Sequence, residues 1–268
     1  MNIGFGAIPE VSPPPHVLFV ALRLAREDTM ASIDKFEDHC WKDVVPEEDM
    51  RMYAPYARDT AVGPNPALLA IDLYNLVYEG GPKPPIEITP QHPSSCGIHA
   101  HRAIEPTRRL LAAARRAGIP IFFCTQDIRS NARPAGAVST KRRGRVVTPE
   151  NYAIYHEFPV RETDIMIFKQ RASAFQGTPI LSHLAVLGVQ SLIVCGEATS
   201  GCVRASVVDA YSAGINVAVV EECTFDQTVL THKVNLFDMH HKYADVMKLA
   251  EVEAHLDALA KRSQTKAS

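Results

Sequence analysis

The chain has 268 residues, 46% of them hydrophobic and 22% charged, with 28 Lys and Arg against 30 Asp and Glu and a formal charge of -2. That balance suits a single α/β domain with a peripheral extension, and no stretch gathers enough Lys or Arg to bind phosphates, so nucleic acid is not an expected partner. The most apolar early segment, Val17 to Ala25, is broken by Arg23 and falls short of the roughly 20 residues that span a bilayer. It has neither a basic leader nor a small-residue cleavage site, so no membrane contact is expected and the protein reads as soluble and cytoplasmic.

The first 63 residues read as an N-terminal helical arm or cap. Leu18–Glu27, Met30–Trp41 and Glu47–Ala57 have helical patterns, and Ser12–Pro15 is a proline-rich turn or linker. From residue 64 to 268 short β-rich runs alternate with helical ones, the pattern of βαβ units. The predicted strands are Ala67–Leu73, Ile119–Thr125, Asp164–Lys169, Ser191–Cys195 and Asn216–Glu221. Between them, Glu105–Ala117 reads as a helix stopped by Gly118. A second is capped by Thr178, with Pro179 in its first turn, Leu181, Leu184 and Leu187 at helical spacing, and Gly188 as its stop. A third spans Gly201–Ala213, and a long C-terminal helix is predicted over His241–Lys261. The expected architecture is a three-layer, doubly wound α/β fold with a parallel sheet. Residues 82–95 and 131–155 are long connections of the kind that form lids or subunit contacts.

In such sheets ligands bind beyond the carboxyl ends of the strands. Asp72 and Lys169 stand at two of those ends, and Cys202 follows a third through the turn Gly196–Gly201. Cys202 opens a predicted helix, where free N–H groups favour a thiolate, and amides near Ala198, Thr199 and Cys202 are placed to hold an oxyanion. On spacing alone the alternative is ordinary packing for the cysteine and solvated loop positions for the charges. The six cysteines form no CxxC pair, which argues against a disulfide framework and a zinc ribbon; Cys96, Cys124 and Cys223 read as structural.

Three motifs go further: Ala70-Ile71-Asp72-Leu73-Tyr74-Asn75, then Lys169-Gln170-Arg171-Ala172-Ser173-Ala174-Phe175-Gln176-Gly177-Thr178, then Cys195-Gly196-Glu197-Ala198-Thr199-Ser200-Gly201-Cys202-Val203-Arg204-Ala205. Over about residues 64–255 the chain resembles the isochorismatase-like cysteine hydrolases, the family of nicotinamidases and of N-carbamoylsarcosine and maleamate amidohydrolases. The resemblance implies Asp72 as acid-base carboxylate, Lys169 as its partner, Cys202 as nucleophile, and a cis peptide joining Ala198 to Thr199. It implies a linear amide, carbamoyl or ureide substrate, an acyl-thioester and ammonia release, and a homodimer or homotetramer.

The sequence departs from its relatives at two places. Nicotinamidases hold a metal on the loop after the second strand, but here that loop, Thr125 to Asn131, has no histidine. His99 and His101 lack an evident third ligand and read as helix-start residues, so neither metal nor cofactor is expected. Relatives acting on carboxylate-bearing amides use an Arg after an Asp beyond the last core strand, where this chain has Asp226-Gln227. A neutral ureide or amide touched by Gln227 is expected, with Arg204 or Arg171 as the other available cations. Tyr74, Asn75 and Phe175 are further candidate pocket residues, and His240 and His241 read as a solvated helix start. Two rival functions stay open: a non-catalytic binding protein on this fold, and a vinyl-ether hydrolase of the isochorismatase type, whose members generally lack the cysteine.

Overall fold

The computed structural model describes residues 34–129 and 148–267. Six strands, β1 Pro66–Ile71, β2 Ile121–Gln126, β3 Ile165–Lys169, β4 Ser191–Gly196, β5 Asn216–Thr224 and β6 Asp245–Met247, form one sheet in the order β3-β2-β1-β4-β5-β6. Every pairing in it is parallel. Helices α1 Glu47–Tyr53, α2 Pro85–Ile88, α3 Ile98–Arg102, α4 Ile104–Ala117, α5 Ile180–Val186, α6 Arg204–Ser212, α7 Val229–Lys242 and α8 Leu249–Ala267 surround it.

Alternate side chains of each strand enter two separate cores, which is why the strands read as unbroken apolar runs. Leu68, Ala70, Phe123 and Ile193 pack under Leu110 and Leu111 of α4 and Val252 and Leu256 of α8. Leu69, Ile71, Phe122 and Val194 pack on the other face under Ile180 and Leu184 of α5, Val207 of α6 and Leu236 of α7. The result is the expected three-layer α/β fold. Gly118 ends α4 with φ 68°, as its sequence position predicts.

Several elements differ from expectation. In α5, Pro179 is the residue that precedes the helix, and Thr178 Oγ1 accepts the Ile180 amide from outside. Its buried face is Ile180 and Leu184, four residues apart, whereas Leu181 and Leu187 are 46% and 47% exposed. The regular part of the third helix begins only at Arg204. The long C-terminal helix is three elements: α7 ends at Lys242, the chain turns at Tyr243 and Ala244, and β6 adds the sheet's sixth strand before α8. His240 and His241 therefore lie at the end of α7 and are buried, not at a solvated helix start.

Those two histidines hold the segment ahead of the sheet. His240 Nε2 meets Phe36 O at 3.1 Å while its Nδ1 accepts from Val246 N at 3.0 Å, and His241 Nε2 meets Glu37 Oε1 at 2.7 Å. Trp41 is completely buried, stacked on His39 with ring centroids 4.4 Å apart. The helix expected over Met30–Trp41 is, in its described part, a helical turn over residues 34–36 followed by a 3-10 turn, Cys40–Asp43. Leu18–Glu27, Ser12–Pro15 and most of the 131–155 connection lie outside the described residues.

From β1 the chain moves outward through β2 to β3 and then crosses back to β4 on the other side. The crevice beyond the ends of β1 and β4 is the switch point of the sheet, where this architecture places its ligands.

Candidate active site

Asp72 is the first residue past β1 and adopts φ 54°, a left-handed conformation that Asp tolerates better than bulkier residues. Its amide donates to Cys124 O at 3.1 Å, which turns the side chain inward at the switch point. Lys169 is the last residue of β3 and reaches back under the end of β2. Its Nζ lies 2.8 Å from Asp72 Oδ2, 3.3 Å from Cys202 Sγ and 3.4 Å from Arg171 O. The structure thus brings together all three residues that the sequence nominates, from β1, β3 and the turn after β4.

That turn needs glycine at its start. Gly196 has φ 110°, and a Cβ there would lie 1.9 Å from Ile71 O on the adjacent strand. The cis peptide joins Glu197 to Ala198, one bond earlier than expected. The peptide between Ala198 and Thr199 is trans, and the Thr199 amide donates to Phe225 O at 3.0 Å. Thr199 N–H is therefore occupied, leaving the amides of Ala198 and Cys202 as the candidates for an oxyanion. Cys202 lies in a π-helical turn, Thr199–Val203, with Gly201 out of helical conformation, so it precedes α6 and does not begin a regular helix. Ser206 Oγ donates to Cys202 O at 2.7 Å and accepts the Ala174 amide at 2.9 Å, which ties the cysteine to the loop after β3.

Burial sets the electrostatics. Desolvation raises the Asp72 carboxyl above its ordinary range, against the lowering effect of the Lys169 ammonium. Desolvation works to lower Lys169, but the charges of Asp72 and Cys202 outweigh it and keep the ammonium form. The Cys202 thiol is pushed up, first by burial and then by Asp72, against the lowering effect of Lys169, and the net shift favours the protonated form. Partial burial beside a carboxylate thus works against the thiolate that a helix start would favour.

The other candidates divide. Tyr74 is beside the triad: its hydroxyl lies 3.4 Å from Glu197 Oε1, its ring meets Tyr152 edge-on at 5.0 Å, and desolvation and then Asp72 raise its pKa. Asn75 Nδ2 donates to Glu150 O at 2.8 Å and fastens the Pro149–Tyr152 turn. Phe175 is 7% exposed and belongs to the core under α5 and α6. Gln227 Nε2 donates to Pro93 O at 2.7 Å and Ser95 O at 3.2 Å, so its amide hydrogens hold the 93–95 loop and only its carbonyl oxygen is left for a ligand. Arg204 pairs with Asp238 and donates to Asn235 Oδ1 at 3.1 Å, which aims it at α7. Glu197 is the residue that sequence reading missed; it is 6% exposed and contributes to raising the Cys202 thiol. Its neighbour in the Cys195–Ala205 motif, Cys202, drew attention as the reactive group, and no local pattern marks a carboxylate as buried.

Among the described residues no group of three or more His, Cys, Asp and Glu side chains gathers as a metal site, and His101 Nδ1 lies 2.9 Å from Gly97 O.

The Isochorismatase domain model matches residues 66–251, which spans all six strands. The chain belongs to the isochorismatase family. It is 30% identical over 218 residues to the N-carbamoylsarcosine amidase of Arthrobacter sp., covering 78% of each chain. It is also 40% identical over 97 residues to the maleamate amidohydrolase of Pseudomonas putida, a match over 36% of this chain and 46% of that one. An isochorismatase family protein from Burkholderia thailandensis superposes with TM-score 0.60 at 25% identity, covering 75% of this chain and all of its own. The N-carbamoylsarcosine amidase of Thermoplasma acidophilum shares the fold with TM-score 0.51 at 20% identity, covering 69% of this chain and 96% of its own. The chain is thus a hydrolase of the isochorismatase family with relatives that act as amidases. No helix among its described residues is long and apolar enough to cross a membrane.

Proposed function

We propose that the protein is a cysteine-dependent amidohydrolase that cleaves a linear C–N bond in a small amide, carbamoyl or ureide substrate. The observation that carries this reading is Lys169 Nζ between Asp72 Oδ2, at 2.8 Å, and Cys202 Sγ, at 3.3 Å, at the switch point of the sheet.

The steps follow from the resting state. Asp72 is the base: it takes the thiol proton, and the Lys169 ammonium stabilises the thiolate at contact distance. The thiolate adds to the substrate carbonyl, and the oxyanion is held by the Ala198 and Cys202 amides. Protonated Asp72 gives its proton to the departing nitrogen, the C–N bond breaks, and ammonia leaves an acyl-thioester. Water, deprotonated by the same carboxylate, adds to the thioester carbon, the C–S bond breaks to release the acid, and Asp72 returns the proton to sulfur. In this scheme Lys169 supplies the positive charge throughout, and no metal or cofactor takes part.

The test is ammonia release from N-carbamoylsarcosine, maleamate, nicotinamide, biuret and other ureides, with Cys202→Ala as control. Release from at least one of them, lost in the variant, is the expected result. Turnover that survives Cys202→Ala overturns the thiol mechanism, and silence across the panel moves a binding function on this fold forward.

A further inference from the structure

The turn that carries Cys202 is held from its outer side by one segment, the connection from β5 into the first turns of α7. Phe225 O accepts the Thr199 amide at 3.0 Å. Asp226 Oδ2 accepts from Ser200 N at 2.8 Å and from Ser200 Oγ at 2.7 Å. His232 Nδ1 and Thr199 Oγ1 are 2.7 Å apart. The first two contacts fix backbone positions. The third fixes the side chain of Thr199, a fully buried residue whose hydroxyl and methyl would otherwise exchange places between staggered wells.

We propose that His232 is a positioning residue: through Thr199 it sets the conformation of the turn, and with it the placement of Cys202 Sγ against Lys169. The inference rests on Cys202 being the nucleophile. Burial first, against the opposing pull of Asp226, lowers the His232 imidazole to about 4, so the contact joins two neutral groups. Neutral partners suit a brace beside the triad, because they hold Thr199 without adding a charge that would bias the thiol. The imidazole also borders a cavity of about 380 Å³ that His99, Arg102 and Val229 line, so a shorter or apolar side chain fits there without overpacking the core.

The test compares wild type with His232→Leu, His232→Asn and Thr199→Val. Asn carries a polar atom one bond beyond Cγ, where Nδ1 stands, and Leu has the same reach without polarity. Two rates are read: ammonia release with kcat and KM separated, and alkylation of Cys202 by iodoacetamide followed on its own peptide by mass spectrometry. Thermal unfolding of each variant checks the fold. The expected result is a loss in kcat and in the Cys202 alkylation rate on the order of 10- to 100-fold for His232→Leu, as for a misplaced reacting group, with KM within about twofold. His232→Asn is expected to restore most of it, and Thr199→Val combined with His232→Leu to lose no more than either alone. Alkylation at the wild-type rate in His232→Leu, an Asn variant no better than Leu, or additive losses in the double variant would overturn the proposal. Alkylation is read without any substrate, so an error in the amidohydrolase reading shows separately, as turnover that survives Cys202→Ala.

Discussion

Lys169 reaches Asp72 across the end of an intervening strand, and the two side chains form an ion pair with relative exposures of 2% and 0%. A buried pair of this kind contributes little net stability against a well-packed apolar alternative, but removing one partner leaves the other uncompensated. The arrangement suits the proposed chemistry, in which the ammonium lowers the carboxylate against its burial and faces the sulfur that the carboxylate would deprotonate.

The first prediction concerns pH. If Asp72 is the base, kcat/KM rises with pH as Asp72 ionises, and since burial raises that carboxyl, the acid limb lies above the range of an ordinary aspartate. Lys169 lowers the carboxyl, so Lys169→Met is expected to move the limb to higher pH while cutting the maximal rate. A rate profile whose acid limb stays in place in Lys169→Met would contradict the assignment.

Asp72→Asn keeps the shape of the side chain and removes the base. A loss of about 10² to 10⁴ in kcat is expected, the range of a general acid-base group, with the thiol still present by titration of the denatured protein. Arg204→Ala, in contrast, is expected to change KM by less than about twofold, because that guanidinium is paired with Asp238 on α7. Steady-state kinetics on whichever amide is hydrolysed checks both.

Gly196→Ala is expected to cost about 3 kcal/mol or more in urea unfolding. It combines a side chain at φ 110° with a Cβ placed 1.9 Å from Ile71 O, and neither strand end can yield without disturbing Asp72 or the Cys202 turn.

Stability should fall on acidification. Burial, chiefly, lowers His240 in the folded protein to about 2 from an ordinary 6.5. A histidine depressed in this way contributes stability that is present above pH 6.5 and is lost as pH drops below it, because the unfolded chain takes up the proton and the folded one does not. At pH 5 the loss is about 2 kcal/mol relative to pH 8. His240→Asn is expected to be less stable at pH 8 but to show a shallower pH dependence, measured by urea unfolding at pH 5 to 8.

The parts of this molecule that were legible in the sequence are those that local chemistry dictates. Strands buried on both faces read as Val, Ile, Leu, Ala and Cys runs whichever way they face, and Asp72, Lys169 and Cys202 stood at their ends. The stretch from Val229 to Met247 was not legible. On α7, Val229, Leu230 and Val234 are 48%, 60% and 42% exposed while His240 and His241 are buried beside Leu236, Phe237 and Met239, so apolar residues stand on both its faces and two of its buried positions are polar. The three-residue strand β6 is too short to show a period of its own. Polar contacts between distant positions are similarly silent: nothing near His232 in the sequence points to Thr199, nor anything near Gln227 to the loop at Pro93.

The seating of residues 36–41 bears on where this hydrolase can be cut. The family domain begins at residue 66, yet Trp41 fills a socket made by Phe237, His240 and His241, and Glu37 and Phe36 satisfy the imidazoles of α7. A chain started at the family boundary would leave an open hollow and two imidazoles each without its Nε2 partner, on the helix that also bears His232. Such a fragment should be recovered poorly in soluble form, and what is recovered should have a less firmly held Cys202 turn, because the same helix carries the His232 contact to Thr199.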